Sequence, residues 1–234
     1  MDTLIQFGRG PLFRFAVVVA LLGLARYVVL SAWGIHRARQ RAGDKRLDFG
    51  AVASRTFTVL NPFRYLAGNR AFYTVLSVLF HVGVILVPIF FAGHIRLWRR
   101  GIGLGWPALP ASLSDWLTLL SIATGVLLLV GRAWYPASRG MSRPQDWLLP
   151  PLIVLAFLSG YLVAHPGSNP FSLNLVTLVH VGVCDLLLIL TPFTKIAHCV
   201  MLPYSQYVNE MCWKLVPGAG QEVLKTLGKE GQPV

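Results

Sequence analysis

Apolar positions along this chain neither alternate nor recur at a helical period. They come in long unbroken runs. Five runs stand out, at about Leu12 to Ile35, Phe72 to Gly93, Asp115 to Gly131, Trp147 to Val163 and Leu173 to Ile196. A helix needs roughly 20 residues to cross about 30 Å of hydrocarbon. Only helices and closed barrels satisfy their own backbone there. The pattern therefore predicts an all-α integral membrane bundle of five transmembrane helices. Trp33, Trp98, Trp116, Trp134 and Trp147 fall near the expected ends, where amphipathic rings gather. The first run is long for a secretory signal, lacks a small-residue cleavage site and is followed by basic residues. It reads as a retained helix.

Composition agrees with this. The 234 residues are 55% apolar and 13% charged, too apolar for a soluble domain of ordinary make-up. The net charge of +12 raises the question of nucleic acid. Its arginines sit between apolar runs, however, where orientation and lipid headgroups account for them. Nucleic-acid binding is set aside, and the lipid bilayer is the expected surrounding. The connection 36–70 carries Arg37, Arg39, Arg41, Lys45, Arg46, Arg55, Arg64 and Arg70, whereas 164–172 carries no arginine or lysine. Arg96, Arg99 and Arg100 in 94–114 weaken the contrast without reversing it. The positive-inside rule then places 36–70, 132–146 and 197–234 in the cytoplasm, with the N-terminus outside. Residues 1–198 read as a transmembrane domain. Residues 199–234, with Pro203 and Pro217, read as a cytoplasmic tail long enough to dock a partner.

Cys184, Cys199 and Cys212 show no CxxC spacing, so neither a zinc or iron–sulfur site nor a disulfide framework is implied. The histidines are more informative. His36 and His165 lie at span ends. His81, His94, His180 and His198 lie in pairs on two spans, with His81 and His180 inside the apolar runs and His94 and His198 just past their ends. A polar ring in a span is costly and usually faces the bundle interior. An interhelical hydrogen bond explains one such ring more easily than four. On an ideal helix the 18 residues from His180 to His198 make five turns, so both rings share a face, roughly 27 Å apart. The second and fifth helices run in opposite directions. His81 then shares the inner level with His198, and His94 the outer level with His180. Two facing imidazole pairs suit two haem irons with two axial nitrogens each. One offset does not fit this ladder. The 13 residues from His81 to His94 place those side chains about 140° apart. A kink at Pro88 could absorb the difference. Otherwise His165 would replace His94.

"HVGV" occurs at 81–84 and again at 180–183. Gly83 and Gly182 thus each follow a histidine by two residues, where a missing side chain would let a flat macrocycle approach. Gly93, Gly125, Gly131 and Gly160 fall in or at the ends of spans. Close helix packing is the competing explanation for all of them.

The segment "VHVGVCDLLLILTPFTKIAH" carries a histidine, the cluster Pro192, Phe193, Thr194, Lys195, and a second histidine. This block resembles the last helix of the gamma subunit of respiratory nitrate reductase, a membrane dihaem cytochrome b. "LFHVG" at 79–83 with "GH" at 93–94 resembles the second helix of that family. "LARY" at 24–27 and "ATGVLLLVG" at 123–131 resemble parts of the first and third. The chain departs from the family in a longer gap between His81 and His94 and a longer loop at 36–70. It also lacks a lysine beyond the second helix; Ser112, Ser114 and Asp115 stand in that region.

The resemblance implies two b haems on His81, His94, His180 and His198. It also implies a quinone site, for menaquinone or ubiquinone, near the outer haem. Gly93, His94, Ser114 and Asp115 are the candidates there. It implies an electron-transfer subunit in a bacterial or archaeal cytoplasmic membrane. Its partners would be an iron–sulfur subunit and a catalytic subunit at the cytoplasmic face. Relatives of the same superfamily serve sulfite-reduction, heterodisulfide-reductase-like and hydrogenase complexes.

Five charged residues extend the reading. Arg26, Arg132 and Lys195 could each pair with a haem propionate or simply anchor a span end. Asp185, five residues after His180 and inside a span, is a candidate proton relay, because a lone carboxylate there must be neutralised or paired. Asp115 could accept quinol protons or cap the third helix. Two rival functions remain at this stage. A proton channel or transporter would use histidine and aspartate relays, but the expected inverted repeats are not visible. A structural anchor would use the same residues only for packing. No nucleophile, nucleotide motif or CxxCH haem attachment is present, so any terminal chemistry falls to another subunit.

Overall fold

The computed structural model describes residues 1–41, 49–61, 71–216 and 218–232. Lys45, Arg46, Arg64, Arg70 and Pro217, singled out above, lie outside the described residues. The described chain is helical throughout, with no strand. Helices α1 (Asp2–Phe7) and α2 (Phe13–Arg41) are joined by a π-helical turn, Gly8–Leu12. They are followed by α3 (Phe49–Leu60), α4 (Ala71–Phe90), α5 (Ala92–Ile102) and α6 (Ala111–Trp134). Then come α7 (Pro136–Met141), α8 (Pro144–Ala164), α9 (Leu173–Leu190), α10 (His198–Leu215) and α11 (Ala219–Thr226).

Five helical stretches are long and apolar enough to cross a membrane: Asp2–Arg41, Ala71–Phe90, Ala111–Trp134, Pro144–Ala164 and Leu173–Phe193. The chain is a multi-pass membrane protein. The first stretch begins ten residues before the apolar run does. Pro11, which lacks an N–H, and the glycines beside it do not end the helix; the chain widens to a π turn and continues.

The chain forms two compact units. One comprises 1–20 and 65–195, the other 21–64 and 196–234. In the second unit α3 packs on α10, and α10 on α11. In the first, α4 packs on α6, α6 on α8 and α8 on α9, while α1 and the π turn lie on α9. The α6 face in this packing is polar and small. Ser114, Thr118, Ser121, Thr124 and Gly125 are all buried along it. Thr118, Ser121 and Thr124 donate back to the carbonyl four residues earlier at 2.7–2.8 Å, so their hydroxyls are satisfied without a partner helix. Gly83 of α4 lies against this face. A Cβ there would overlap Ser121 Oγ and sit 2.8 Å from the Leu117 carbonyl oxygen. A Cβ at Gly125 would lie 2.7 Å from Val154 Cγ2 and 2.9 Å from Phe80 Cε2. These glycines let backbones approach, the usual route to helix association in lipid. Gly83 therefore serves helix packing, the second of the two readings that the sequence left open beside a haem-facing position.

Two expected helices are interrupted. Helix α4 runs through Pro88 and stops at Phe90, and Phe91 is extended (φ −69°, ψ 129°) before α5 begins. The turn is at Phe91 and not at Pro88. Its stability comes from the four carbonyls a helix leaves open at its C-terminus. Phe91 N donates to Val87 O, His94 Nδ1 to Pro88 O, Trp106 Nε1 to Ile89 O and Leu109 N to Phe90 O, all within 3.1 Å. The other interruption corrects the five-turn ladder. Helix α9 ends at Leu190, followed by short 3-10 turns at Thr191–Phe193 and Lys195–Ala197 with Thr194 extended between them. Pro192 cannot donate to the helix, and His198 opens a separate helix, α10. His180 and His198 do not share one helix face.

Candidate functional site

The break at Phe91 decides where His94 points. The ring sits in the first turn of α5, edge-on to Phe91 at 5.3 Å. It lies nearly parallel to His180 of α9, with ring centres 6.0 Å apart and planes 9° apart. The 140° offset from His81 disappears because the two histidines occupy different helices. A metal between two imidazole nitrogens sits about 2 Å from each, as in other metal–histidine bonds, and each ring centre is about 1 Å further on. That puts the centres about 6 Å apart. Ordinary ring packing shares this spacing, so the hydrogen bonds matter more.

A carbonyl can only accept. His94 Nδ1 must therefore carry the proton it shares with Pro88 O at 3.1 Å. His180 Nδ1 carries the one it shares with Ala156 O at 3.0 Å, with Ser159 Oγ 3.3 Å away. This fixes the tautomer that leaves Nε2 with its lone pair, and it is the outer support that metal-binding imidazoles usually have. Burial holds His94 below the ordinary imidazole value and so keeps it neutral, the form that binds metal. Gly160 of α8 makes room for the pair, because a Cβ there would be 2.8 Å from His180 Cε1. A Cβ at Gly182 would meet nothing within 4 Å. Gly93 has a local task, since its missing side chain admits the Phe91 ring. These residues would suit a haem: two imidazoles whose Nδ1 protons rest on main-chain carbonyls and open space beside Gly182, with Cys184 Sγ 3.8 Å from His180 Nε2 as the contact a metal would displace.

His81 repeats the device. Its Nδ1 donates to Ser77 O at 2.7 Å, the same kind of main-chain support. It lies in the first unit, whereas His198 is an exposed residue of the second. His165 is occupied differently. Nδ1 bonds to Tyr161 O at 3.0 Å and Nε2 faces Asp115 Oδ2 at 3.3 Å, with Tyr161 stacked on the ring. Both nitrogens are engaged, so His165 does not substitute for His94. Asp115 is not a helix cap either, because α6 starts at Ala111 with Pro110 preceding it. Ser114 is buried, and its Oγ has no hydrogen-bond partner among the described residues. No group of three or more His, Cys, Asp or Glu residues is placed to hold a metal ion among the described residues.

Arg132 and Lys195 are held by a residue the sequence reading did not single out. Asp146, near the start of α8, takes Lys195 Nζ on Oδ2 and has Arg132 Nη1 3.8 Å from Oδ1. Arg132 also donates to Ser142 Oγ at 2.9 Å, and Lys195 N to Gln145 Oε1 at 3.0 Å. The cluster clamps the end of α6 and the turns after α9 to the start of α8. A sequence signal existed, since Pro144 opening a helix with an acid two residues later is a common N-terminal pattern. Asp146→Asn should lower thermal stability by about 1 kcal/mol, read as a melting shift in detergent. An unchanged melting curve would count against the clamp. Arg26 lies in the second unit, exposed, with its guanidinium carbon 5.9 Å from the Tyr27 ring centre.

No family model matches the chain, and no solved structure matches it. A protein of Nitratidesulfovibrio vulgaris, named only "Protein", is 30% identical over 205 residues, covering 86% of this chain and 89% of its own length. The chain belongs to the same family as that protein.

Proposed function

We propose that this chain is the dihaem b-type cytochrome subunit of a respiratory oxidoreductase. It would pass electrons between a membrane quinone and an iron–sulfur or catalytic partner on the cytoplasmic side. The observation that carries the reading is the His94–His180 pair, near-parallel rings 6.0 Å apart with both Nδ1 protons spent on main-chain carbonyls. Each Nε2 keeps the lone pair a metal needs, and among the described residues only the weak donor Cys184 Sγ, 3.8 Å from His180 Nε2, competes for it. These two would hold the outer haem; His81 and His198 come to the inner one from the resemblance alone. A b haem supplies a one-electron carrier when bound. The chain's own work is to orient the imidazoles, exclude water and hold the protons of a quinol. Ser114 and the Asp115–His165 pair lie at the same end of the first unit as His94 and suit the quinone head. The N-terminus would be outside and the tail in the cytoplasm, against the partner. The resemblance to the nitrate reductase gamma subunit supports the same reading.

A proton channel would need titratable groups in hydrogen-bonded series. Here Asp185 Oδ2 has no partner among the described residues, and His94 and His180 bond to backbone. Anaerobic addition of a quinol analogue to the purified protein tests the proposal. Its b-type absorbance should appear within the mixing and turnover time. Haem that dithionite reduces but quinol does not would remove the quinone half of the reading.

A further inference from the structure

Asp185, a candidate proton relay by sequence, has no part in the electron path proposed above. It lies inside the α9 span and is only 3% exposed. Its Oδ2 has no hydrogen-bond partner among the described residues. A second feature meets it there. The π turn Gly8–Leu12 packs on α9, and a Cβ on Gly8 would lie 2.5 Å from Val181 Cγ1 and 3.7 Å from Asp185 Oδ2. Glycine is thus required for this approach, and π turns are frequent at functional positions. The carboxyl faces the one irregular turn of the first helical stretch.

The surroundings limit what can satisfy that oxygen. On the π turn the charged residue is Arg9, which is exposed and whose charge reaches His180; it makes no ion pair with Asp185 at the distances that define the other pairs. On α1, Asp2 accepts from Asn174 Nδ2 at 3.1 Å, near the start of α9. On α8, Asp146 is committed to Lys195 and Arg132, and Tyr161 stacks on His165. The turn Thr191–Phe193 has no titratable side chain. Cys184 precedes Asp185 on α9. A metal cation would want several oxygen ligands, and no such cluster exists among the described residues. A proton needs only the carboxyl itself.

We infer that Asp185 is a proton-loading site: its carboxylate takes up a proton when the centre on His94 and His180 gains an electron, and releases it when the electron leaves. This rests on the haem reading above. The balance is simple. One electron adds a negative charge to the centre, and one proton from water converts the carboxylate to carboxyl, so the charge of the buried region stays constant. Asp185 is five residues from His180, about 7.5 Å along the helix axis. At that range and an effective dielectric of about 20, one charge changes the proton affinity of the other by roughly fortyfold.

Infrared difference spectroscopy of the haem-loaded full chain in lipid, dithionite-reduced minus oxidised, tests this. A carboxyl C=O band should appear on reduction, vanish in Asp185→Asn and shift in Asp185→Glu. The midpoint of the outer centre should fall with rising pH in the wild type and flatten in Asp185→Asn. A band that ignores the redox state, survives in Asp185→Asn, or leaves the pH slope unchanged there would overturn the inference. Haem content is measured on the same samples. Haem-free protein would defeat both readings, whereas haem-loaded protein without the band defeats this one alone. Asp185→Glu keeps the test open if the asparagine variant does not fold.

Discussion

Alanine at His180 should cut the haem content of the purified protein from two per chain to one. The same loss should follow alanine at His94, because each haem needs both axial nitrogens held in place. The pair is built for this by its supports: Pro88 O on one ring, and Ala156 O on the other. Under the proposal, removing either ring would leave an iron with one protein ligand. The expected signature is a b-type absorbance reduced by about half, with the remaining centre unshifted in potential. His165→Ala is the control. Both of its nitrogens are engaged by Tyr161 O and Asp115, so two haems should remain. Loss of a haem in the control, with none lost at His94, would reassign the outer ligand.

Gly83→Ala should be the most damaging conservative change in the first unit. The added methyl would overlap Ser121 Oγ and crowd the Leu117 carbonyl at 2.8 Å. The hydroxyl could rotate or be removed, but the carbonyl is backbone, so α4 and α6 must separate. Overpacking of this kind costs about 1–3 kcal/mol, enough to lower yield and melting temperature clearly. Because His81 lies two residues earlier on α4, the inner haem should weaken as well. Adding Ser121→Ala should rescue part of the loss and not all of it, since the carbonyl contact persists. Full stability in Gly83→Ala would mean that α4 does not lie on α6 as described.

Much of the fold was readable because lipid imposes so strict a code. An apolar run of about 20 residues has few other uses, and all five runs became spans. Interruptions inside the runs were not readable. The break at Phe91 depends on Trp106 and Leu109, which return from beyond α5 to cap α4. No local propensity at Phe91 announces them. The stop after Leu190 had a local cue in Pro192, but proline is tolerated inside other helices here, at Pro88, Pro150 and Pro151. Its effect could not be fixed from residue type alone.

The site divides in the same way. That His94 and His180 belong at one level followed from two antiparallel spans. That they face each other followed only from the helix break, which removed the 140° offset. Gly83 and Gly160 show the limit of reading glycine by neighbourhood. Gly83 follows a histidine yet packs on Ser121, while Gly160, distant in sequence, makes the space beside His180. Asp146 was not legible because charge alone leaves Lys195 and Arg132 open between propionate partner and span-end anchor, and neither role points to a carboxylate on α8.

The central claim is that this bundle holds two non-covalent haems. A dithionite-reduced minus oxidised spectrum of the purified protein, with extracted haem counted against chain, addresses it directly. The expected result is a b-type α-band and about two haems per chain. Folded, membrane-extracted protein with no haem absorbance would contradict the account.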